Sequence, residues 1–233
     1  MKKLLNIEKT LAYIRALNRS SLRMKLANLL PRPSTFQLFY RVDVYDSSGK
    51  LVKTSGDRRS RSFVLQFLKL MEVLMAHPWD SSPDSVGIKD TGGSNRTFAF
   101  NIGQYVTRLL SCEAGAGDVN YGIVVGTGTN APASDDYDLQ TKVAHGTGAG
   151  LLQYGATTVA QAAVVGANVD MLFSRVFVNA SGGSITLREA GLIVRHALIG
   201  TTGYYFLVIH DAVNQAIANT YIAVVTYTLR TTV

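Results

Sequence analysis

The run Arg175-Val-Phe-Val-Asn-Ala-Ser-Gly-Gly-Ser-Ile-Thr-Leu-Arg-Glu-Ala-Gly-Leu-Ile-Val194 restricts the fold more than any other part of the chain. Its valine, isoleucine, phenylalanine and threonine side chains are stiff at χ1 and suit a pleated, half-buried surface. Between them, Asn179 to Ser184 gathers residues that tolerate turn backbone angles. The pattern predicts two strands joined by a tight turn near Gly182 and Gly183, a β-hairpin with no catalytic chemistry of its own.

The same period of two begins at Phe36. Leu38, Tyr40, Val42 and Val44 alternate with Phe39, Arg41, Asp43 and Tyr45, and Asp46-Ser-Ser-Gly49 turns the chain into Leu51-Val52, so the body opens with a hairpin. Phe63, Val64, Phe67, Leu68, Met71, Leu74 and Met75 then fall on one helical face. They predict an amphipathic helix over about 60–76, with Ser60 or Ser62 as N-cap and Pro78 beyond its end. Short apolar segments separated by glycine, serine and asparagine follow at 85–89, 97–102, 121–125, 157–165, 171–178, 185–194, 204–209 and 221–229. Many short strands without alternating helices predict an all-β fold, a jelly-roll-like β-sandwich with one inserted helix, and argue against a parallel doubly wound sheet. The stretch from Gly126 to Gly150, with five glycines and three aspartates, is expected to form a long loop or a pair of loops that contacts neighbouring subunits.

Charge divides the chain differently. Of a net +7, residues 1–30 contribute +6, with seven basic residues against Glu8 alone, whereas residues 130–233 carry −1. Leu4, Ile7, Leu11, Ile14 and Leu17 recur at three- and four-residue steps, so residues 1–33 are expected to form a basic amphipathic helical arm. The arm ends at Pro31-Arg-Pro33, and the sandwich occupies 34–233. The arm's candidate contact residues are Lys2, Lys3, Leu4, Ile7, Leu11, Ile14, Arg15, Leu17, Arg19 and Arg23. Such a helix can lie on a membrane, touch packaged DNA, or dock its stripe into a groove on a partner protein, and its regularity favours the last. Arg58, Arg59 and Arg61 make a second basic patch, able to grip phosphates or to pair with carboxylates on a neighbouring subunit, the reading preferred here.

Chemistry is sparse. Cys112 is the only cysteine, which excludes an intrachain disulfide and suggests a buried thiol. The opening Met1-Lys-Lys-Leu-Leu5 resembles a secretory signal, but Asn6, Glu8 and Lys9 interrupt it, and no run of about 18 apolar residues follows to span a bilayer. Gly126-Thr-Gly-Thr129 lacks the Lys-Ser/Thr pair of a phosphate loop. Asp135, Asp136 and Asp138 could ligate calcium, though a solvated acidic turn is the simpler reading. His77, His145, His196 and His210 have no metal-ligand spacing, and the adjacent His210-Asp211 would point to opposite faces of a strand. Glu189 is expected to pair with Arg188 or Arg175, and Gly191 to mark a bulge or a close backbone approach. The scarcity of carboxylates in the strands argues against a glycan hydrolase, and no enzyme activity, cofactor or small-molecule substrate is expected.

Gly122-Ile-Val-Val-Gly-Thr-Gly-Thr-Asn-Ala-Pro132, Asp136-Tyr-Asp-Leu139 and His145-Gly146 resemble the middle section of tailed-phage virion proteins. So do Phe177-Val-Asn-Ala-Ser-Gly182, Arg188-Glu-Ala-Gly-Leu192, Val225-Thr-Tyr-Thr-Leu229, Arg59-Ser-Arg-Ser-Phe-Val64 and Asp90-Thr-Gly-Gly93. The resemblance covers residues 36–233 and implies a β-rich structural component of the head, neck or tail, located in the virion and assembled in the host cytoplasm. It implies a homo-oligomer that meets the major capsid protein or other virion proteins, first of all a capsid decoration or cement protein. Alternatives are a neck or tail component, or a tail-fibre module that binds a host receptor or glycan, for which aromatic side chains near loop tips, such as Trp79, would be the mark.

Overall fold

In β1 (Thr35–Tyr45) the alternate side chains Leu38, Val42 and Val44 are buried, as the period of two requires. The computed structural model in which this is seen describes residues 35–60, 62–76, 86–98, 108–197 and 203–232, so the expected arm, Arg61 and Trp79 lie outside the described residues. The other elements are β2 (Leu51–Thr54), β3 (Arg58–Ser60), α1 (Leu65–Ala76), β4 (Val86–Lys89), β5 (Asn95–Phe98), β6 (Arg108–Ser111), β7 (Gly122–Gly126), β8 (Gln153–Val159), β9 (Ala163–Val165), β10 (Asn168–Val178), β11 (Ile185–Ala197), β12 (Tyr204–Ile217) and β13 (Ile222–Thr232).

Three antiparallel sheets result. A seven-stranded sheet runs β2-β1-β13-β10-β8, with β3 sharing the free side of β1 and β9 that of β10. A four-stranded sheet runs β12-β11-β6, with β7 also on β11, and β4 pairs with β5 alone. The two larger sheets bury one face each against the other. Val225 and Tyr227 of β13 and Phe173 and Phe177 of β10 share a core with Leu187 and Leu192 of β11 and Phe206 and Val208 of β12. The outer face of the four-stranded sheet carries a second cluster, including Val124, Ile193, Leu207 and Leu139. Among the described residues the fold is therefore all-β with one short helix, as the strand pattern predicts.

The expected hairpin at 175–194 is not a hairpin. Its turn stands where expected, with Gly182 at φ +82°, but β10 pairs with β13, β8 and β9 while β11 pairs with β12, β6 and β7. The connection crosses from one sheet to the other. Local propensity specifies strand, turn and strand, and the six residues 179–184 are long enough to span the roughly 10 Å between packed sheets. Asn179, fully buried, holds this crossing. Its Nδ2 donates to the Gly183 and Ile217 carbonyls, both at 2.8 Å, and its Oδ1 accepts from the Ser181 amide and hydroxyl. The Asn179 backbone also meets Thr220 and Tyr221, so one residue ties together two of the places where the chain changes sheets.

The hairpin that opens the body does form, with Asp43 opposite Thr54 and Gly49 at φ +82° in the turn. Helix α1 lies within the expected range and turns most of the expected stripe inward: Val64 is buried, Phe63 and Phe67 pack against the core and Met71 lines its cavity. Gln66 and Leu70 are buried, whereas Leu68 is 63% exposed. The reason is upstream: the Val64 amide donates to the Val208 carbonyl and the His210 amide to the Ser62 carbonyl, so residues 62–64 are seated on β12 before the helix starts. Neither candidate serine is an N-cap, because the side chains of Ser60 and Ser62 turn to Asp211.

Candidate functional site

Parity along β11 and β12 decides which polar side chains enter which layer. Register shifts fall between Leu187 and Glu189 and between Leu192 and Ile193, and between them Gly191 stands opposite His210. Gly191 is a close approach, since a β-carbon there would lie 2.6 Å from Leu139 Cδ1 and 3.0 Å from the Ile209 carbonyl. Glu189 and His210 face outward from the four-stranded sheet, beneath the loop that follows β7.

Glu189 is 1% exposed and pairs with neither Arg188 nor Arg175, contrary to expectation. Its Oε2 accepts from the Gly128 amide at 2.9 Å and the Thr141 amide at 3.1 Å, and its Oε1 accepts from the Gln140 amide at 2.9 Å. A side chain at Gly126 or Gly128 would collide with that carboxylate. The glycine-rich segment therefore does cradle an anion, and the anion is the chain's own Glu189. Backbone amides converging on one carboxylate form a site of the kind that otherwise binds phosphate. Here the site is filled from within.

His210 extends the arrangement. Its Nδ1 lies 2.6 Å from Asp136 Oδ2, and its Nε2 lies 3.3 Å from Glu189 Oε1 without the alignment of a hydrogen bond. The loop is further ordered by Gln140, whose Oε1 accepts from the Thr129 and Asn130 amides, and by Tyr154, whose hydroxyl donates to the Val143 carbonyl at 2.6 Å. The three aspartates expected as a cluster have separate partners or none: Asp136 holds His210, Asp138 pairs with Lys142 at 2.8 Å, and Asp135 is exposed. Among the described residues no group of three or more histidine, cysteine, aspartate or glutamate side chains is placed to hold a metal ion. A depression of about 420 Å³ opens beside this system, lined by Asp136, Tyr137, Asn130, Gln140, Thr91 and His210 among others.

Asp211, one residue on, points the opposite way, as expected of neighbours on a strand. It accepts from the Ser60 hydroxyl at 2.8 Å and lies beside the buried Tyr227 hydroxyl. Burial pushes the Asp211 carboxyl above its ordinary range, against the opposing pull of the Ser60, Ser62 and Tyr227 hydroxyls. An acid whose pKa is raised on folding stabilises the protein at low pH, and that contribution is lost as pH rises from the unfolded value, about 4, through the folded one. Asp211→Asn is therefore expected to melt a few degrees above the parent at pH 7 and level with it near pH 4. A gap that does not change between those pH values would mean that the Asp211 charge is not what burial penalises.

Of the expected basic patch, Arg58 and Arg59 lie among the described residues and Arg61 does not. Arg58 and Arg59 are both exposed on β3, but Arg58 donates from Nε to the Ser55 carbonyl and lies against the Tyr40 hydroxyl, on the side that Ser60 shares. The arm residues Lys2 to Arg23 lie outside the described residues. Cys112 packs against the core and lines an apolar cavity of about 350 Å³ with Phe67, Met71 and Met171. Burial, then the charge of Glu113, push its thiol up to about 11, so it is no thiolate at neutral pH. No helix among the described residues is long and apolar enough to cross a membrane.

Arg175 is the residue that sequence reasoning most undervalued. It is 1% exposed and donates to five backbone carbonyls: Gly155, Tyr121, Ile123, Gly115 and Asp118. Its place on the buried face was signalled, since Phe173, Arg175 and Phe177 share a parity. What it binds there was not. No family model matches the chain, and no curated protein or solved structure matches it either.

Proposed function

We propose that the protein is a non-enzymatic structural component of a tailed-phage particle, a capsid decoration or cement protein that binds the shell and further copies of itself. The observation that carries this reading is the character of the lateral edges of the seven-stranded sheet. On one edge, Leu51 and Val52 of β2 are 42% and 45% exposed, and on the other Val164 and Val165 of β9 are 78% and 51% exposed. Short edge strands with outward apolar side chains are what a sheet presents when another surface covers it. Different patches on opposite edges suit head-to-tail contacts, which close into rings or lattices when the rotation permits. The wrapping is taken as jelly-roll-like, supported by crossings between the sheets at 127–152, 179–184 and 218–221. In this reading the arm anchors to the shell or to another virion protein, and weak contacts repeated by symmetry hold the assembly.

A second reading, a tail-fibre module that binds a host glycan, has one observation in its favour. Tyr137, at 37% exposure, stands beside the polar depression at Asp136 with the Lys89 ammonium 4.1 Å from its ring centroid. Light scattering of the full chain and of a variant lacking residues 1–33, at low and high salt, separates the two. A defined oligomer that survives removal of the arm is expected. A monomer in both proteins would overturn self-assembly and leave the receptor-binding reading.

A further inference from the structure

The free edge of β12 lies between two depressions that share Ala212, Val213 and Asn214. One, of about 380 Å³, opens toward the seven-stranded sheet and is lined by Lys53, Arg58, Tyr40 and Gln215 among others. The second, of about 530 Å³, lies on the other flank, lined by Gly128, Thr129, Asn130, Ala131 and Arg188. Among the described residues lining either, three are cations and none is an acid. Lys53, Arg58 and Arg188 are all exposed, and none of them has an ion-pair partner among the described residues.

The strand between the depressions is unpaired on this side. β12 pairs with β11 along one edge, and on the other the residues seated against it, Ser62 to Val64, reach only as far as His210. From Ala212 to Ile217 no strand covers the edge among the described residues, and the Tyr40 hydroxyl occupies the Ala212 carbonyl alone. Gln215 adds a second sign of an absent partner. It is 3% exposed, it lines the first depression, and its Nε2 has no hydrogen-bond acceptor. A buried amide donor without a partner costs about 1–3 kcal/mol, a cost that an incoming acceptor would offset.

We propose that this edge binds an extended acidic peptide by strand addition, with carboxylate side chains entering the two depressions. Side chains of a strand alternate between faces, so a peptide laid along β12 sends one residue toward Lys53 and Arg58 and the next toward Arg188. Main-chain hydrogen bonds supply affinity, and the cations select acidic residues at both parities. A peptide fits better than a nucleic acid strand, because the depressions are side-chain-sized and separated by a backbone edge, with no row of exposed rings on which bases could stack. The inference stands independently of the virion reading.

The test uses the full-length protein and three fluorescein-labelled probes in an anisotropy titration at 50 and 300 mM salt: Thr-Val-Glu-Asp-Val-Glu-Thr, the same peptide with proline at each valine, and a twelve-residue oligothymidylate. Binding of the first peptide is expected, weakened at least tenfold by Lys53→Glu/Arg58→Glu and, separately, by Arg188→Glu. The proline probe is expected to bind at least tenfold more weakly, since it lacks the donors and the extended freedom that pairing needs. The altered residues are exposed, and an unchanged circular dichroism spectrum in each variant makes loss of binding a loss of contact. No binding of the first peptide, equal binding of the proline probe, indifference to either variant, or tighter binding of the oligothymidylate would each overturn the proposal.

Discussion

Arg175→Met is expected to lower the melting temperature by about 10 °C or more, the largest effect of any single substitution in this protein. The five N–H groups of the guanidinium are all engaged: Nε with Gly155 at 2.8 Å, Nη1 with Tyr121 at 3.2 Å and Ile123 at 2.9 Å, and Nη2 with Gly115 at 3.1 Å and Asp118 at 2.6 Å. Its flat face lies 4.8 Å from the Tyr154 ring centroid. Methionine fills similar volume and removes every donor, leaving carbonyls of the 115–123 segment and of β8 without partners. Each orphaned buried carbonyl costs about 1–3 kcal/mol, and even with partial relaxation the sum is about 4 kcal/mol, a large share of the 5–15 kcal/mol that usually holds a domain together. At about 2–4 °C per kcal/mol for a chain of this size, the melting shift follows. Burial lowers the Arg175 pKa, yet the group needs no carboxylate partner, because five carbonyl dipoles do the work of a counter-charge. Arg175→Lys is expected to recover less than half of the loss, since an ammonium has three donors and no fork. A methionine variant melting within about 3 °C of the parent would show that the segment holds its conformation without the fork.

Much of this fold was legible, and the failures have a common cause. Period-two alternation marked β1, β-branched apolar segments between turn residues marked the later long strands, and the Asp46–Gly49 turn marked the first hairpin, because these signals are local. Partner choice is not local. The 175–194 run could equally form a hairpin or a crossing, and the choice was made by β13 and β12, strands outside the run that each take one half of it as a partner. The same limit applied to the polar core. Parity places Arg175 on the inner face, and an irregularity after Leu187 turns Glu189 to the outer one, but their partners, carbonyls at 115–123 and amides at 128–141, belong to segments with no periodic signal. The glycines at 126 and 128 were the available hint, but without a Lys-Ser/Thr pair they did not read as an anion cradle, and nothing local points from them to Glu189. The helix was found in place with Val64, Phe63, Phe67 and Met71 on the core side, but Gln66 and Leu70 are buried where Leu68 was expected, since residues 62–64 pair with β12 and set the angle at which α1 begins.

Glu189→Ala should release the 127–142 loop while leaving the seven-stranded sheet intact. The carboxylate accepts three loop amides and touches the His210 ring, and hydrogen bonds to a charged acceptor are each worth about 1.5–3 kcal/mol. Losing them is expected to cost the loop about 3 kcal/mol of local stability, which corresponds to roughly a hundredfold faster hydrogen exchange at the Gly128, Gln140 and Thr141 amides. Amides between β1 and β13 should exchange as before, because none of their bonds passes through this loop. Glu189→Gln is expected to fall between. Its amide keeps one oxygen, and the nitrogen must face at least one backbone N–H, since both carboxylate oxygens accept from the loop. Gly128→Ala supplies the converse, because it keeps the carboxylate and obstructs the approach of the chain, and it should open the same amides. Unchanged exchange at the three amides in Glu189→Ala would mean that the other contacts, from Gln140, Tyr154, His210 and the backbone bonds of Thr127 and Val143, hold the loop without the carboxylate. Equal acceleration across β1 and β13 would mean instead that Glu189 supports the whole domain.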